Sequence, residues 1–154
     1  MKVSKSSRHA KIVGDFGEAL VQYWLSKYGY ECARVDHTGI DLIARNPNKE
    51  EVMGISVKSR TRTEGTENEV VNISVDNFEK AKIACRAFGC IPYFAIVVDA
   101  GERIRGYILS MDHLLKISPP TNQAAYWKMS TKHLEKYQND SEIIIFEFHT
   151  STKW

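Results

Sequence analysis

Apolar residues along the chain change period several times, and the first period is helical. Phe16, Ala19, Leu20, Tyr23 and Trp24 recur at spacings of three and four, which places them on one face of a helix. With Asp15 as N-cap and Gly29 as the stop, the pattern predicts a helix over residues 15–28. Strand-like runs follow at Tyr30 to Val35, Ile40 to Arg45 and Val52 to Lys58, separated by His37-Thr38-Gly39 and Asn46-Pro47-Asn48. Such short connections suit antiparallel neighbours. Residues 60–70 are polar and read as a mobile loop, followed by a short strand over Val71 to Ser74. Phe78, Ala81, Ile83, Ala84 and Ala87 mark a second helix that ends at Gly89. Next come strands over Tyr93 to Val98 and Ile104 to Leu109, a short helix over Met111 to Ile117, a stretch from Asn122 to Tyr137 helical only in pieces, and a last strand over Ile143 to Phe148. The order predicts an α/β domain with a central mixed sheet flanked by helices.

Composition adds bounds. The 154 residues are 43% hydrophobic and 26% charged, as in an ordinary globular chain able to bury a core without disulfides or a structural metal. We read residues 1–13 as a basic N-terminal arm and 14–154 as a single domain. Cys32, Cys85 and Cys90 are odd in number and lack metal-site spacing, which points to reduced thiols and a cytoplasmic protein. No run approaches the roughly 18 apolar residues of a membrane span, so no membrane association is expected. The glycines never form a phosphate-binding loop, so neither a doubly wound fold nor a nucleotide cofactor is expected. Lysine and arginine number 21 against 19 acids, a balance that favours no partner.

Three polar side chains stand where packing alone would not choose them: Glu18 on the first helix, Asp41 inside the apolar run Gly39-Ile40-Asp41-Leu42-Ile43-Ala44, and Lys58 at the end of Gly54-Ile55-Ser56-Val57-Lys58. A carboxylate buried alone costs several kcal/mol, so Asp41 needs solvent, a charged partner or a metal. The period of two puts Ser56 and Lys58 on one face of their strand. Each residue also has a plain reading. Asp15-x-x-Glu18 is a variant of the capping box, Asp41 has Arg34, Arg45 and Lys58 available as ion-pair partners, and Lys58 could be a solvated strand end.

The sequence Gly14-Asp15-Phe16-Gly17-Glu18-Ala19-Leu20, then Gly39 to Ala44, then Ile55-Ser56-Val57-Lys58-Ser59-Arg60, resembles the PD-(D/E)xK nuclease superfamily, the restriction-endonuclease-like fold, in its archaeal Holliday-junction-resolvase-like and Mrr-like branches. The resemblance covers roughly the first 60 residues. It implies a phosphodiesterase acting on DNA, with Mg²⁺ or Mn²⁺ held by Asp41 and Glu18, and Lys58 as the catalytic cation. Residue 56, where that superfamily carries its second core acid, is Ser, a poorer ligand for a hard dication. Either Glu18 compensates, or Glu64 or Glu67 swings in from the following loop, or the domain is a silent nuclease fold that binds DNA or a protein partner.

Arg60, Arg62, Lys80, Lys82 and Lys11 are the candidates for phosphate contacts. A homodimer is one arrangement that would supply the two sites needed to cut both strands. The five histidines lack metal spacing, Tyr23, Trp24 and Tyr28 read as core, and Tyr126, Trp127 and Trp154 are candidate partner contacts.

Overall fold

The computed structural model describes residues 4–151; Lys2 and Trp154 lie outside them. Its elements, in order, are α1 (His9–Lys27), β1 (Glu31–His37), β2 (Ile40–Arg45), β3 (Val52–Thr61), β4 (Val71–Ser74), α2 (Val75–Phe88), β5 (Ile91–Ala100), β6 (Arg103–Ser110), α3 (Met111–Ile117), β7 (Ala124–Trp127), α4 (Thr131–Gln138) and β8 (Ile144–His149). Six strands form the central sheet in the order β1-β2-β3-β5-β6-β8, and β4 pairs with β7 in a separate two-stranded sheet. β1, β2 and β3 are antiparallel neighbours, as their short turns require. β5 runs parallel to β3, because β4 and α2 carry the chain back to the same end of the sheet, while β6 and β8 add antiparallel strands. The result is the expected mixed α/β architecture.

β5 explains why the sheet is two-sided. Phe94, Ile96 and Val98 join Phe78, Ala81, Tyr107, Leu109 and Trp127 in one apolar cluster, whereas Ala95 and Val97 join Val21, Leu25, Leu42, Ile55 and Phe146 in the other. A strand buried on both faces reads as an unbroken apolar run rather than an alternation. α1 covers the second cluster and α2 the first. No helix among the described residues is long and apolar enough to cross a membrane.

Several expectations are corrected. α1 begins at His9, six residues before the predicted start, so residues 9–13 of the basic arm are helical. Its N-cap position is Arg8, and Asp15 sits in mid-helix with its carboxylate 2.9 Å from Lys11 Nζ. The capping-box reading of Asp15 and Glu18 therefore fails. The buried stripe of α1 is Gly17, Val21 and Leu25, one position around from the predicted face, and Phe16 and Tyr23 are 44% and 52% exposed. Tyr28 is likewise exposed rather than core. At the other end Gly29 does stop the helix: its N–H reaches Ser26 O while Tyr30 N–H reaches Leu25 O, the paired bonds of a Schellman motif.

β3 continues to Thr61, so Arg60 belongs to the strand. The following loop is held by its own bonds, with Thr66 closing a turn onto Thr63 and Arg62 donating to the carbonyls of Glu69 and Val70. Within the stretch read as helical only in pieces, Ala124–Trp127 is a strand, with Trp127 opposite Val71 and Ala125 opposite Ile73. Trp127 is fully buried, stacked on Tyr137 at 4.0 Å between ring centres; it belongs to the core rather than to a partner surface.

Candidate active site

Three of the residues singled out in the sequence, Glu18, Asp41 and Lys58, are electrostatic neighbours near the point where β2 and β3 part. The ladder between these strands runs from Arg45–Val52 to Leu42–Ile55 and stops, although β3 extends six residues further. At that point a side chain replaces the backbone acceptor: Asp41 Oδ2 accepts the N–H of Val57 at 2.7 Å. The apolar neighbours of Asp41 enter the core, while its own carboxylate is only half-buried. Among the described residues Asp41 makes no ion pair within 4 Å, so pairing with Arg34, Arg45 or Lys58 does not account for it.

Glu18 reaches the same region from α1. A Cβ on Gly17 would lie 1.7 Å from Ser59 Oγ, so the missing side chain lets the helix rest directly on β3. Glu18 Oε2 accepts from Arg34 Nη2 at 3.1 Å, and Arg34 also donates to the Asp15 carbonyl. Burial pushes the Glu18 carboxyl above its ordinary range and the charge of Asp41 adds to it, against the opposing pull of Arg34. The neighbouring Asp41 carboxylate thus disfavours ionisation of Glu18.

Lys58 is half-buried and donates to Asn77 Oδ1, in the first turn of α2, at 2.8 Å. Burial lowers its pKa, Asp41 opposes that, and Arg60 and Lys80 reinforce it. Asp41 is therefore the electrostatic neighbour of both Glu18 and Lys58. Ser56, opposite Phe94 in the parallel ladder, is 3% exposed and is the one buried residue of polar or charged type among the described residues.

The basic candidates divide. Arg60 and Lys80 are electrostatic neighbours of Lys58. Arg60 also donates to its neighbouring carbonyl at Ser59. Arg62 is engaged by the loop backbone and by Glu69, with its side chain 12% exposed, so the structure gives it a bracing role. Lys82 pairs with Glu79 and Lys11 with Asp15, both on exposed helix faces. Of the loop acids, Glu67 accepts from Gly65 N–H within its own turn. Neither Glu64 nor Glu67 forms a three-ligand cluster with Asp41 and Glu18 among the described residues.

Sequence reasoning missed two features. Asn77 carries no local signal, since only the crossover brings α2 to Lys58. His113 lies between Asp140, at 2.7 Å, and Glu142, at 3.3 Å. This is the one trio of potential metal-binding side chains among the described residues with ligand atoms all within 4.8 Å. A separation of 27 residues hid it, and its geometry is that of an imidazole bridging two carboxylates to tie α3 to the turn before β8.

The charge arrangement has a measurable consequence. A carboxyl whose folded-state pKa is raised binds more protons folded than unfolded, so stability falls as pH rises through the window above the usual value of 4.5, and the deficit persists at neutrality. Glu18→Gln removes that deficit at the expense of a half-exposed ion pair of small worth. The variant is expected to melt higher than the parent at pH 7 in metal-free buffer, with the difference closing as pH falls below the ordinary glutamate range. Melting curves between pH 4 and 8 check this, and a lower melting temperature at pH 7 would refute it.

No protein-family model and no curated protein matches the chain. Among solved structures the chain is similar to the Holliday junction resolvase Hjc of the archaeal hyperthermophile Archaeoglobus fulgidus, with 20% identity, a TM-score of 0.55, and coverage of 75% of this chain and 83% of that one. The likeness establishes the fold: six central strands in a mixed sheet with helices on both faces, the architecture of that nuclease.

Proposed function

We propose that this domain is a metal-dependent nuclease that hydrolyses DNA phosphodiester bonds at the point where β2 and β3 separate. The observation that carries the reading is the position of Asp41: its carboxylate ends the β2–β3 ladder and is electrostatically coupled to both Glu18 and Lys58. The donor chemistry fits Mg²⁺ or Mn²⁺. Among the described residues no third acid forms a ligand cluster with these two hard carboxylates, and Mg²⁺ commonly keeps several waters and takes only one or two carboxylates. Asp41 and Glu18 would hold the ion, which would supply an activated water and offset charge on the phosphoryl oxygens.

The protein's own groups have defined tasks. Asn77 holds the Lys58 ammonium in place, fixing a positive charge for the scissile phosphate, and Arg60 and Lys80 extend that field for a DNA backbone. The fold likeness to a protein described as a Holliday junction resolvase makes branched DNA the first substrate to test. A homodimer and a cytoplasmic setting complete this reading.

Ser56 favours a second reading, a silent nuclease fold that binds DNA without cutting it, because the buried hydroxyl supplies no charge to an ion. Incubation with linear, single-stranded and four-way-junction DNA in Mg²⁺ and in Mn²⁺ separates the two. Cleavage supports the nuclease; salt-sensitive binding without cleavage in either metal supports the silent domain. Ser56→Asp and Ser56→Glu are expected to lower the melting temperature in metal-free buffer, since each adds a buried charge, and to recover part of it with Mg²⁺. They should also raise cleavage about tenfold or more, reflecting tighter ion binding. A Ser56 variant that stays folded and neither gains cleavage nor responds to Mg²⁺ would remove residue 56 from the ion's surroundings.

A further inference from the structure

The C-terminal third builds a second concavity that the proposed chemistry does not use. It has a volume of about 630 Å³, within the range of small-molecule sites, and lies between the end of α3, β7 and α4. It shares no lining residue with Glu18, Asp41, Ser56, Lys58 or Asn77. Lys116 comes to it from α3, Lys136 from α4 and Lys128 from the connection after β7, and His133 lines it with them. The acid on its wall, Asp140, is already engaged: its carboxylate meets His113 Nε2 at 2.7 Å and the Glu142 N–H at 2.9 Å. The local balance is therefore strongly cationic, although the whole chain is nearly neutral.

The walls are fixed before any ligand arrives. Tyr137 Oη donates to the Lys128 carbonyl at 2.9 Å, joining α4 to the end of β7, and the Tyr137 ring is stacked on Trp127. His133 Nδ1 lies 2.6 Å from Ser130 Oγ, which orients the ring and leaves Nε2 for a ligand. Slight burial, and then the charges of Lys128, Lys136 and Lys132, hold the His133 imidazole below its usual pKa, a sign of how positive the surroundings are. Besides the cations, the lining includes the apolar side chains of Ile117, Pro119 and Tyr126 and the hydroxyls of Ser118 and Thr121. An anion with a flat apolar body satisfies both halves, whereas inorganic phosphate would satisfy only one.

We infer that this pocket binds a nucleoside phosphate, the phosphate among Lys128, Lys136 and His133 and the base against Tyr126. No glycine-rich loop is involved, in keeping with its absence from the sequence. The same chemistry has two sources, a free nucleotide and the 5′-phosphorylated end of a nucleic-acid strand.

The test uses the full chain, titrated at fixed salt with a fluorescent nucleoside 5′-monophosphate, and with two single-stranded oligonucleotides of one sequence that differ only in a 5′-phosphate or a 5′-hydroxyl. The double variant Lys128→Gln/Lys136→Gln, which alters two exposed side chains, is expected to weaken binding at least about tenfold, the effect of losing charge-assisted contacts, with an unchanged melting temperature. The His133 ring resonances should titrate at higher pH in the bound protein, because a phosphate offsets the lysines. Asp41→Asn should leave this binding unaltered, so failure here is separable from failure of the nuclease reading. Binding of the free monophosphate that is lost in the double variant assigns a small-molecule site. Preference for the phosphorylated over the hydroxyl strand, lost in the same variant, assigns a strand end. Absence of both, or binding that survives the double variant, overturns the inference.

Discussion

Asp41→Asn is expected to abolish DNA cleavage, by about a hundredfold or more, while leaving the fold as stable as the parent. Asn keeps the shape of the side chain and its Oδ1 can accept the Val57 N–H that Asp41 Oδ2 accepts at 2.7 Å. The end of the β2–β3 ladder is thereby retained. What disappears is the negative charge, and with it the principal anchor that the proposed reading gives a dication; even residues behind a metal's direct ligands cost about 10- to 100-fold when changed. The same loss removes the attraction of Asp41 for Lys58 and its repulsion of Glu18. Cleavage rates at several Mg²⁺ concentrations, with melting curves alongside, check the outcome, and undiminished cleavage by a folded variant would exclude Asp41 from the chemistry.

Lys58→Met tests the opposite charge. Burial lowers the Lys58 pKa in the folded protein, so between the folded and ordinary values the unfolded chain binds more protons and stability rises with pH. Below the folded value the full penalty of enclosing the ammonium is present. The Met variant is therefore expected to melt above the parent at pH 7, with the gap narrowing toward alkaline pH, and to lose cleavage. A group held at a stability penalty, in a region that also carries coupled carboxylates, is the pattern of a working site. A plain packing role for Lys58 predicts a lower melting temperature and intact cleavage.

How far these positions were legible depends on whether their signal is local. The departure of Asp41 from an apolar strand and the alternation through Ser56 and Lys58 are sequence-near features, and the structure brings both strands together at that point. The start of α1 was not legible, because none of residues 9–16 is buried, and turns of helix without a buried face leave no hydrophobic period to read. β7 was not distinguished within the stretch read as helical only in pieces. Its four residues include two alanines, which favour helix, and only pairing with β4 and the stacking of Trp127 on Tyr137 make it a strand. The partners of the candidate site, Asn77 on Lys58 and Arg34 on Glu18, lie 19 and 16 residues away, and no local pattern announces a contact made by a crossover or by a helix laid across a sheet.

Gly39→Ala is expected to give a large loss of stability, and it acts on the same site from behind. Gly39 has φ +105°, a conformation strained for any L side chain, and a Cβ there would lie 2.3 Å from the Lys80 carbonyl oxygen and 2.9 Å from the Ala81 nitrogen. Those atoms belong to the backbone of α2, which cannot move aside as a side-chain tip can. Gly65 also has a φ beyond the left-handed helical well, +87°, with nothing within 4 Å, so Gly65→Ala isolates the dihedral contribution, about 1 kcal/mol. At Gly39 the overlap adds a further 1–3 kcal/mol, the usual range for overpacking. Together these shift the melting temperature by roughly 10 °C in a domain of this size. Gly39 also stands two residues before Asp41, and α2 carries Asn77, the partner of Lys58, so separating β2 from α2 moves the acid relative to the cation. The Gly39 variant should thus lose cleavage together with stability, whereas Asp41→Asn loses cleavage alone. Equal melting shifts for Gly39→Ala and Gly65→Ala would show that the close approach to α2 contributes nothing.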